Sequence, residues 1–295
     1  MQAATRVEAA ALAADLTVGD GLQEMLAGAL SALRSRSAAT SRPSAETVHR
    51  FRVGVRRLRS ILSAFTEALP PTGRRALDER LGAVAQRYGR VREWDVFLAQ
   101  CLAPLRAALP DEPALRQIAQ RAQAARRQAM PLGHTLLSQF GAIEEALADA
   151  PWLRRPEPEQ AECWDMALGA FAAGVVAKRH RQLRKRIKAA ELADQAACHQ
   201  LRIRVKKLRY PAELVKSLFD EDRAKSYLRR LTDLQDLLGR MNDAHVGGEL
   251  MQLIDLPAPA HALVAGWLAR DVDLCRAEFP ACARALLRAE PFWET

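Results

Sequence analysis

Apolar residues return every three to four positions along most of this chain, the spacing that places them on one face of an α-helix. No stretch alternates strictly in the manner of a half-buried strand. The periodic runs are cut by prolines: Pro43, Pro70-Pro71, Pro104, Pro110 and Pro113 in the first half, Pro151, Pro156 and Pro158 near the middle, and Pro211, Pro257, Pro259 and Pro280 in the second. These prolines, Pro211 apart, mark helices near 10–40, 44–69, 72–109, 112–149, 159–192, 194–219, 221–254 and 258–289, with Pro104 and Pro280 inside the runs. The expected fold class is all-α, with eight helices in two sets of four. Pro211 falls inside a helical pattern, so a kink is expected there.

The two sets match one another. Shifted by 150 residues, His49, Arg52, Leu58 and Arg59 fall on His199, Arg202, Leu208 and Arg209, and Arg56-Arg57 falls on Lys206-Lys207. Upstream, Leu33, Arg34 and Arg36 meet Leu183, Arg184 and Arg186. Downstream, Arg80-Leu81 meets Arg230-Leu231, and Gly89-Arg90 meets Gly239-Arg240. One gapless offset through three helices predicts an internal duplication, with residues 1–150 as the first half and 151–295 as the second.

Charge follows the same repeat. The chain carries +9, but residues 34–59 alone carry +7 and residues 178–210 carry +10, leaving −8 for the remainder. At about 100° per residue, His49, Arg52, Arg56 and Arg59 fall within an arc of roughly 80°. Val48, Phe51, Val55, Leu58, Leu62 and Phe65 occupy the adjoining arc, the face for the core. His199, Arg202, Lys206 and Arg209 repeat the basic stripe beside Leu201, Val205 and Leu208. Each stripe is about 15 Å long and borders the buried face, so its side chains point into a seam between helices. A solvated surface would intersperse both signs, and four cations on one stripe repel unless an anion neutralises them. The expected partner is a polyanion.

Composition narrows the picture further. Hydrophobic residues make up 49 % and aromatics 5 %, a balance suited to helices packed on helices. The five cysteines form no CxxC pair, which argues against a disulfide framework or a zinc site and fits a reducing compartment. Glu8 and Asp15 interrupt the first apolar run, and no stretch of about 20 apolar residues exists to span a bilayer. The expectation is a cytoplasmic protein with no membrane attachment.

The strings HRFRVGVRRLRS (49–60) and HQLRIRVKKLRYPAEL (199–214) resemble the two signature segments of the CHAD family, the conserved-histidine α-helical domain. LQDLLGRMNDAHV (234–246) does so too, and YGRVREWDVFLAQCL (88–102) more loosely, so the resemblance spans about residues 10–290. It implies two four-helix bundles related by a pseudo-two-fold axis around a basic cavity. It further implies binding of inorganic polyphosphate, often with localisation to polyphosphate granules. The binding residues it implies are His49, Arg52, Arg56, Arg59, His199, Arg202, Lys206 and Arg209. Arg34, Arg36, Arg57, Arg184, Arg186 and Lys207 would flank them. Gly54 departs from the pattern, standing where the second copy has Arg204, and makes the first helix locally weaker. Some family members add a triphosphate-tunnel hydrolase marked by an ExExK string, which does not occur here.

Other chemistries fit less well. No GxxxxGK[ST] loop, GxSxG elbow or HExxH string occurs, so no catalytic residue and no cofactor is expected. A metal site between the histidines, Glu93 and Asp243 is disfavoured by the flanking cations. Those two carboxylates are expected to orient basic side chains or to form surface pairs. Histidine phosphotransfer would need one exposed His free to meet a kinase, and two embedded in Arg stripes suit it poorly. Single-stranded nucleic acid is a polyanion as well, but its binders offer aromatics for base stacking. Here only Tyr210 lies beside a stripe, because Phe51 and Phe65 fall on the core arc.

Overall fold

The computed structural model describes residues 13–37, 43–131, 135–190, 192 and 194–294, and helices dominate them. The first half runs α1 (Val18–Arg34), α2 (Ala45–Ala64), α3 (Pro71–Arg87), α4 (Gly89–Val96), α5 (Ala103–Ala108), α6 (Pro113–Gln128) and α7 (Leu136–Ala148). The second runs α8 (Ala161–Asp165), α9 (Leu168–Lys188), α10 (Gln195–Val215), α11 (Glu221–Met251) and α12 (Ala258–Leu287). Side-chain caps set several starts, since the first N–H groups of a helix have no partner within it. Thr17 accepts from Asp20 N, Ser44 from Thr47 N, Asp194 from Ala196 N and Ala197 N, and Asp220 from Arg223 N. Pro71 opens α3 at a position where a missing N–H costs nothing.

Several boundaries recur 150 residues apart. Val18 and Leu168 begin helices, as do Ala45 and Gln195, and Pro71 and Glu221. Short 3-10 turns follow α2 at Thr66–Ala68 and α10 at Lys216–Leu218.

The structure divides several helices expected to be single. The run expected over 72–109 breaks at Tyr88, and past α4 it widens into a π-helix, Phe97–Leu102, just before Pro104. Proline lacks an N–H and crowds the carbonyl four residues back, and a wider turn accommodates both. The run over 112–149 is split into α6 and α7, and that over 159–192 into α8 and α9. At the latter break the Val18 N–H donates to the Met166 carbonyl (2.9 Å), and the Leu168 N–H donates to the Leu16 carbonyl (2.7 Å). Parts of the expected 10–40 helix (10–12 and 38–40) lie outside the described residues, as do positions 132–134 of 112–149 and position 191 of 159–192.

At Pro211 the expected continuity of the helix holds. Helix α10 continues through it to Val215, with Pro211 buried. Proline at 211 removes the N–H that would bond the Lys207 carbonyl. The Arg179 guanidinium of α9 donates to that carbonyl instead and also reaches the Ser63 carbonyl and Oγ on α2. One half-buried cation thus ties three helices together.

Two apolar clusters hold the elements. The larger gathers Leu22, Phe51, Leu58, Leu81, Phe140, Leu168, Leu201, Leu208 and Leu231, and so joins α1–α3 and α7 to α9–α11. The smaller packs Trp94, Phe97, Leu115 and Ile118 against Leu250, Val264 and Leu268 of α11 and α12. At the edge of the larger cluster His180 is buried, bonded to the Tyr227 hydroxyl (2.7 Å) and edge-on to Trp293. Gly54 serves α1–α2 packing, since a Cβ there would stand 2.5 Å from the Leu33 Cδ1 methyl. The five cysteines are free thiols. Among the described residues no helix is long and apolar enough to cross a membrane.

Candidate anion-binding site

Helices α2 and α10 pack directly on each other, which brings parts of the two basic stripes face to face. The apolar arcs of both helices anchor the arrangement: Val48, Phe51, Val55 and Leu58 on α2, and Leu201, Val205 and Leu208 on α10, are all fully buried. The residues one step round each helix are carried to the seam.

Five of the expected residues meet there: His49, Arg52 and Arg56 from α2, with Arg202 and Lys206 from α10. Their charges are felt mutually. Burial, then the neighbouring Arg202 and Arg56, with a smaller push from Arg52, lower the Lys206 ammonium to about 8 against the pull of Asp243. Burial and the nearby Arg92 and Arg56 hold His49 below its ordinary value, with Glu46 opposing. Arg52 is lowered by burial, Arg56 and Arg92, and Arg202 by burial with Arg56 adding to it. Crowded cations in partial burial favour any anion that enters.

Asp243 of α11 is the carboxylate among them. Burial raises its pKa, while Arg202, Asn242, Arg92 and Lys206 pull it down. Glu93, its counterpart at the 150 offset, pairs with Arg90 at 2.9 Å. Among the described residues no three His, Cys, Asp or Glu side chains gather closely enough to hold a metal ion.

Arg92, on α4, is a sixth residue of the cluster, and its fifth cation beside His49, that sequence reasoning missed. The repeat search passes over it because position 242 is Asn. Its proximity to both His49 and Arg52 follows only from how α4 folds back beside α2.

The ends of the two stripes are occupied by acids. Arg59 forks onto Asp78 of α3 at 2.8 and 2.9 Å, which raises its pKa, and Arg209 pairs with Glu213 at 2.7 Å. His199 is exposed rather than in the seam and, together with Arg202, lines the mouth of a groove between α10, α11 and α12. That groove holds about 1240 Å³ over an apolar floor that includes Leu238, Met241, Leu268 and Val272. Small residues on its walls, among them Ala244, Gly248, Ala265 and Ala269, leave the space.

The flanking candidates scatter. Arg34 pairs with Glu144 of α7 and lies over the Phe140 ring, away from the seam. Arg184 reaches the Leu287 carbonyl at 3.5 Å. Arg36 and Arg57 lie near each other, and the latter's pKa is lowered by burial and by Arg36. Lys207, lowered by burial, Arg204, Arg179 and Arg74, is exposed on another face of α10. The Nε atoms of Arg57, Arg186, Arg202 and Arg209 are buried without an acceptor, and that of Arg202 lies in the cluster.

Aromatic surface is scarce here. Phe51 and Phe65 are fully buried, and the Tyr210 ring lies under the Arg56 guanidinium at 5.0 Å and near that of Arg209 at 5.9 Å.

A family model described as the CHAD domain matches residues 24–252. The crystal structure of the CHAD domain from the plant Ricinus communis is similar over 98 % of both chains, at 29 % identity and a TM-score of 0.74. PptA from Streptomyces chartreusis shares the fold at 18 % identity and a TM-score of 0.63, over 92 % of this chain and 99 % of its own. No curated protein matches the sequence.

Proposed function

This chain belongs to the CHAD domain family, and from that premise we propose that it binds inorganic polyphosphate, without chemistry, along the seam between α2 and α10. The supporting observation is the convergence of Arg52, Arg56, Arg92, Arg202 and Lys206 beside His49, with Asp243 among them. Guanidinium forks match phosphate oxygens two at a time, and the Lys206 ammonium adds a compact charge between them. Asp243 holds part of the cluster in place through attraction to Arg202 and Lys206. A chain of phosphates, charged throughout and without bases, suits an elongated cationic seam whose single nearby aromatic is already covered.

Single-stranded nucleic acid is the rival reading, and Tyr210 counts against it, since the Arg56 guanidinium already lies over its ring. Half-buried among cations, His49 is a poor phosphotransfer site, whereas His199 has the exposure such a module needs; phosphoamino-acid analysis after incubation with a phosphodonor tests it. Recruitment to polyphosphate granules follows from the proposal and is read by co-localisation of the tagged chain with stained granules.

The test is a competition titration of long-chain polyphosphate, tripolyphosphate, single-stranded RNA and ATP at one salt concentration. Long-chain polyphosphate should displace RNA of equal charge. RNA binding of equal or greater strength would replace the proposal with the nucleic-acid reading.

A further inference from the structure

Lys206 differs from the other cations of the seam in being a primary amine, while Arg52, Arg56, Arg92 and Arg202 are guanidinium groups. It is half-buried on α10, one turn from Arg202, and faces Arg56 and Arg52 across the seam. Asp243 lies close enough to attract it, yet among the described residues Lys206 makes no ion pair. A primary amine is thereby held inside a ring of guanidinium groups, which keep their protons where a lysine loses its own.

We propose that Lys206 is an acylation site, and that acyl phosphates are the reagents it takes. The inference rests on the reading of this seam as a phosphate site. The phosphate of the reagent docks on Arg56 and Arg202, which sets its carbonyl carbon beside Nζ. The amine lone pair forms the N–C bond, and the C–O bond to phosphate breaks with its electron pair. The proton lost from nitrogen leaves on the released hydrogen phosphate, so no further reactant is needed. Both guanidinium groups stabilise the departing dianion.

Two features favour this lysine over its neighbours. Burial and the neighbouring guanidinium groups lower the Lys206 pKa to about 8, so more of its amine is neutral than in a lysine at its ordinary value. The reagent is also concentrated by the cations that surround the amine between the packed helices α2 and α10. Acylation replaces a cation at the centre of the cluster with a neutral amide, and so weakens hold on a polyanion. Acyl phosphate supply would then set how much polyphosphate the protein retains.

The experiment treats the full chain at pH 8 with acetyl phosphate and maps acetyl occupancy by peptide mass spectrometry. Acetyl N-hydroxysuccinimide serves as a phosphate-free donor in parallel, and polyphosphate binding is titrated separately. Occupancy at Lys206 should exceed that at exposed Lys185 and Lys188 by about tenfold or more with acetyl phosphate. That preference should shrink with the phosphate-free donor, with Arg56→Gln, and with tripolyphosphate present. Treated parent should lose affinity for polyphosphate, while treated Lys206→Arg should keep its own. Labelling in proportion to exposure would overturn the proposal, and if polyphosphate still bound, the reading of the seam would stand without it. A preference equal for both donors would overturn the docking step. If the chain bound no polyphosphate, the reading of the seam would fail, and unprotected labelling would take the acylation proposal with it.

Discussion

Arg56 and Arg59 lie one helical turn apart on α2, and the structure places their charges in different company. Arg56 is exposed over Tyr210 and in electrostatic reach of Lys206, whereas Arg59 is forked onto Asp78. Replacing Arg56 or Arg202 with Ala should therefore weaken polyphosphate binding by about 1–3 kcal/mol each, the scale of a hydrogen bond to a charged group. Arg59→Ala and Arg209→Ala should change binding several-fold less, a contrast that parallel titrations will read. Protonation adds a second prediction. Bound phosphate favours the ammonium, so Lys206 in the complex titrates above its value of about 8 in the free protein. Affinity should then be full below pH 8 and fall as pH rises beyond it. His49, depressed in the free protein, is pulled upward by the same ligand, so affinity should rise further toward the acid end of the range as His49 takes up its proton. Titrations between pH 5.5 and 9.5 should lose the alkaline limb in Lys206→Arg and the acid limb in His49→Gln. The stripe of His49, Arg52 and Arg56 is legible in the sequence because helical phase alone puts them beside the core arc. The neutralising acids are less so: Asp78 is on another helix, and Glu213 lies beyond Pro211, where the helix was expected to bend.

Proline is a reliable helix breaker only when the carbonyl it orphans has nowhere else to turn. In α10 the Lys207 carbonyl finds the Arg179 guanidinium, and the helix carries on through Pro211. Burial lowers the pKa of Arg179 to about 10, so it stays charged in this role at neutral pH. Arg179→Met should cost about 1–3 kcal/mol, since it leaves the Lys207 and Ser63 carbonyls short of a donor. In a Pro211→Ala background, residue 211 can bond Lys207 itself, so the same change should cost measurably less. Equal costs in both backgrounds, by urea denaturation, would sink the account. The break at Tyr88 shows the converse. Arg52 donates to the Ala85 carbonyl, the one an unbroken helix would offer to the Gly89 N–H, and the chain divides into α3 and α4. No periodicity in the sequence announces either event, because both depend on an arginine from a different helix. Gly54 is legible only as a weak spot. Its reason is the approach of Leu33, and Gly54→Ala should lose about 1–3 kcal/mol to overpacking, less the helix propensity gained, in a thermal melt.

The all-α class and the start of most long helices could be read from apolar phase and proline position, since both are local. How the halves share a core could not, because the larger cluster joins α1–α3 to α9–α11 across more than a hundred residues of sequence. That shared core has a mechanical consequence for the protein without its ligand. Tight apolar packing of α2 on α10 clamps Arg52, Arg56, Arg202 and Lys206, with Arg92 brought in by α4, closer together than their mutual repulsion would allow in open solvent. The free protein thus works as a compressed spring, with hydrophobic contact as the latch and like charge as the load. Small ions screen such a load over about 10 Å at 0.1 M. Sodium chloride, which weakens surface ion pairs in most proteins, should here raise the melting temperature of the ligand-free chain between 0.02 and 0.3 M. The same salt series should leave the melting temperature of an Arg56→Gln, Arg202→Gln variant nearly flat. Should parent and variant respond alike, the seam stores no repulsion and the latch carries no load.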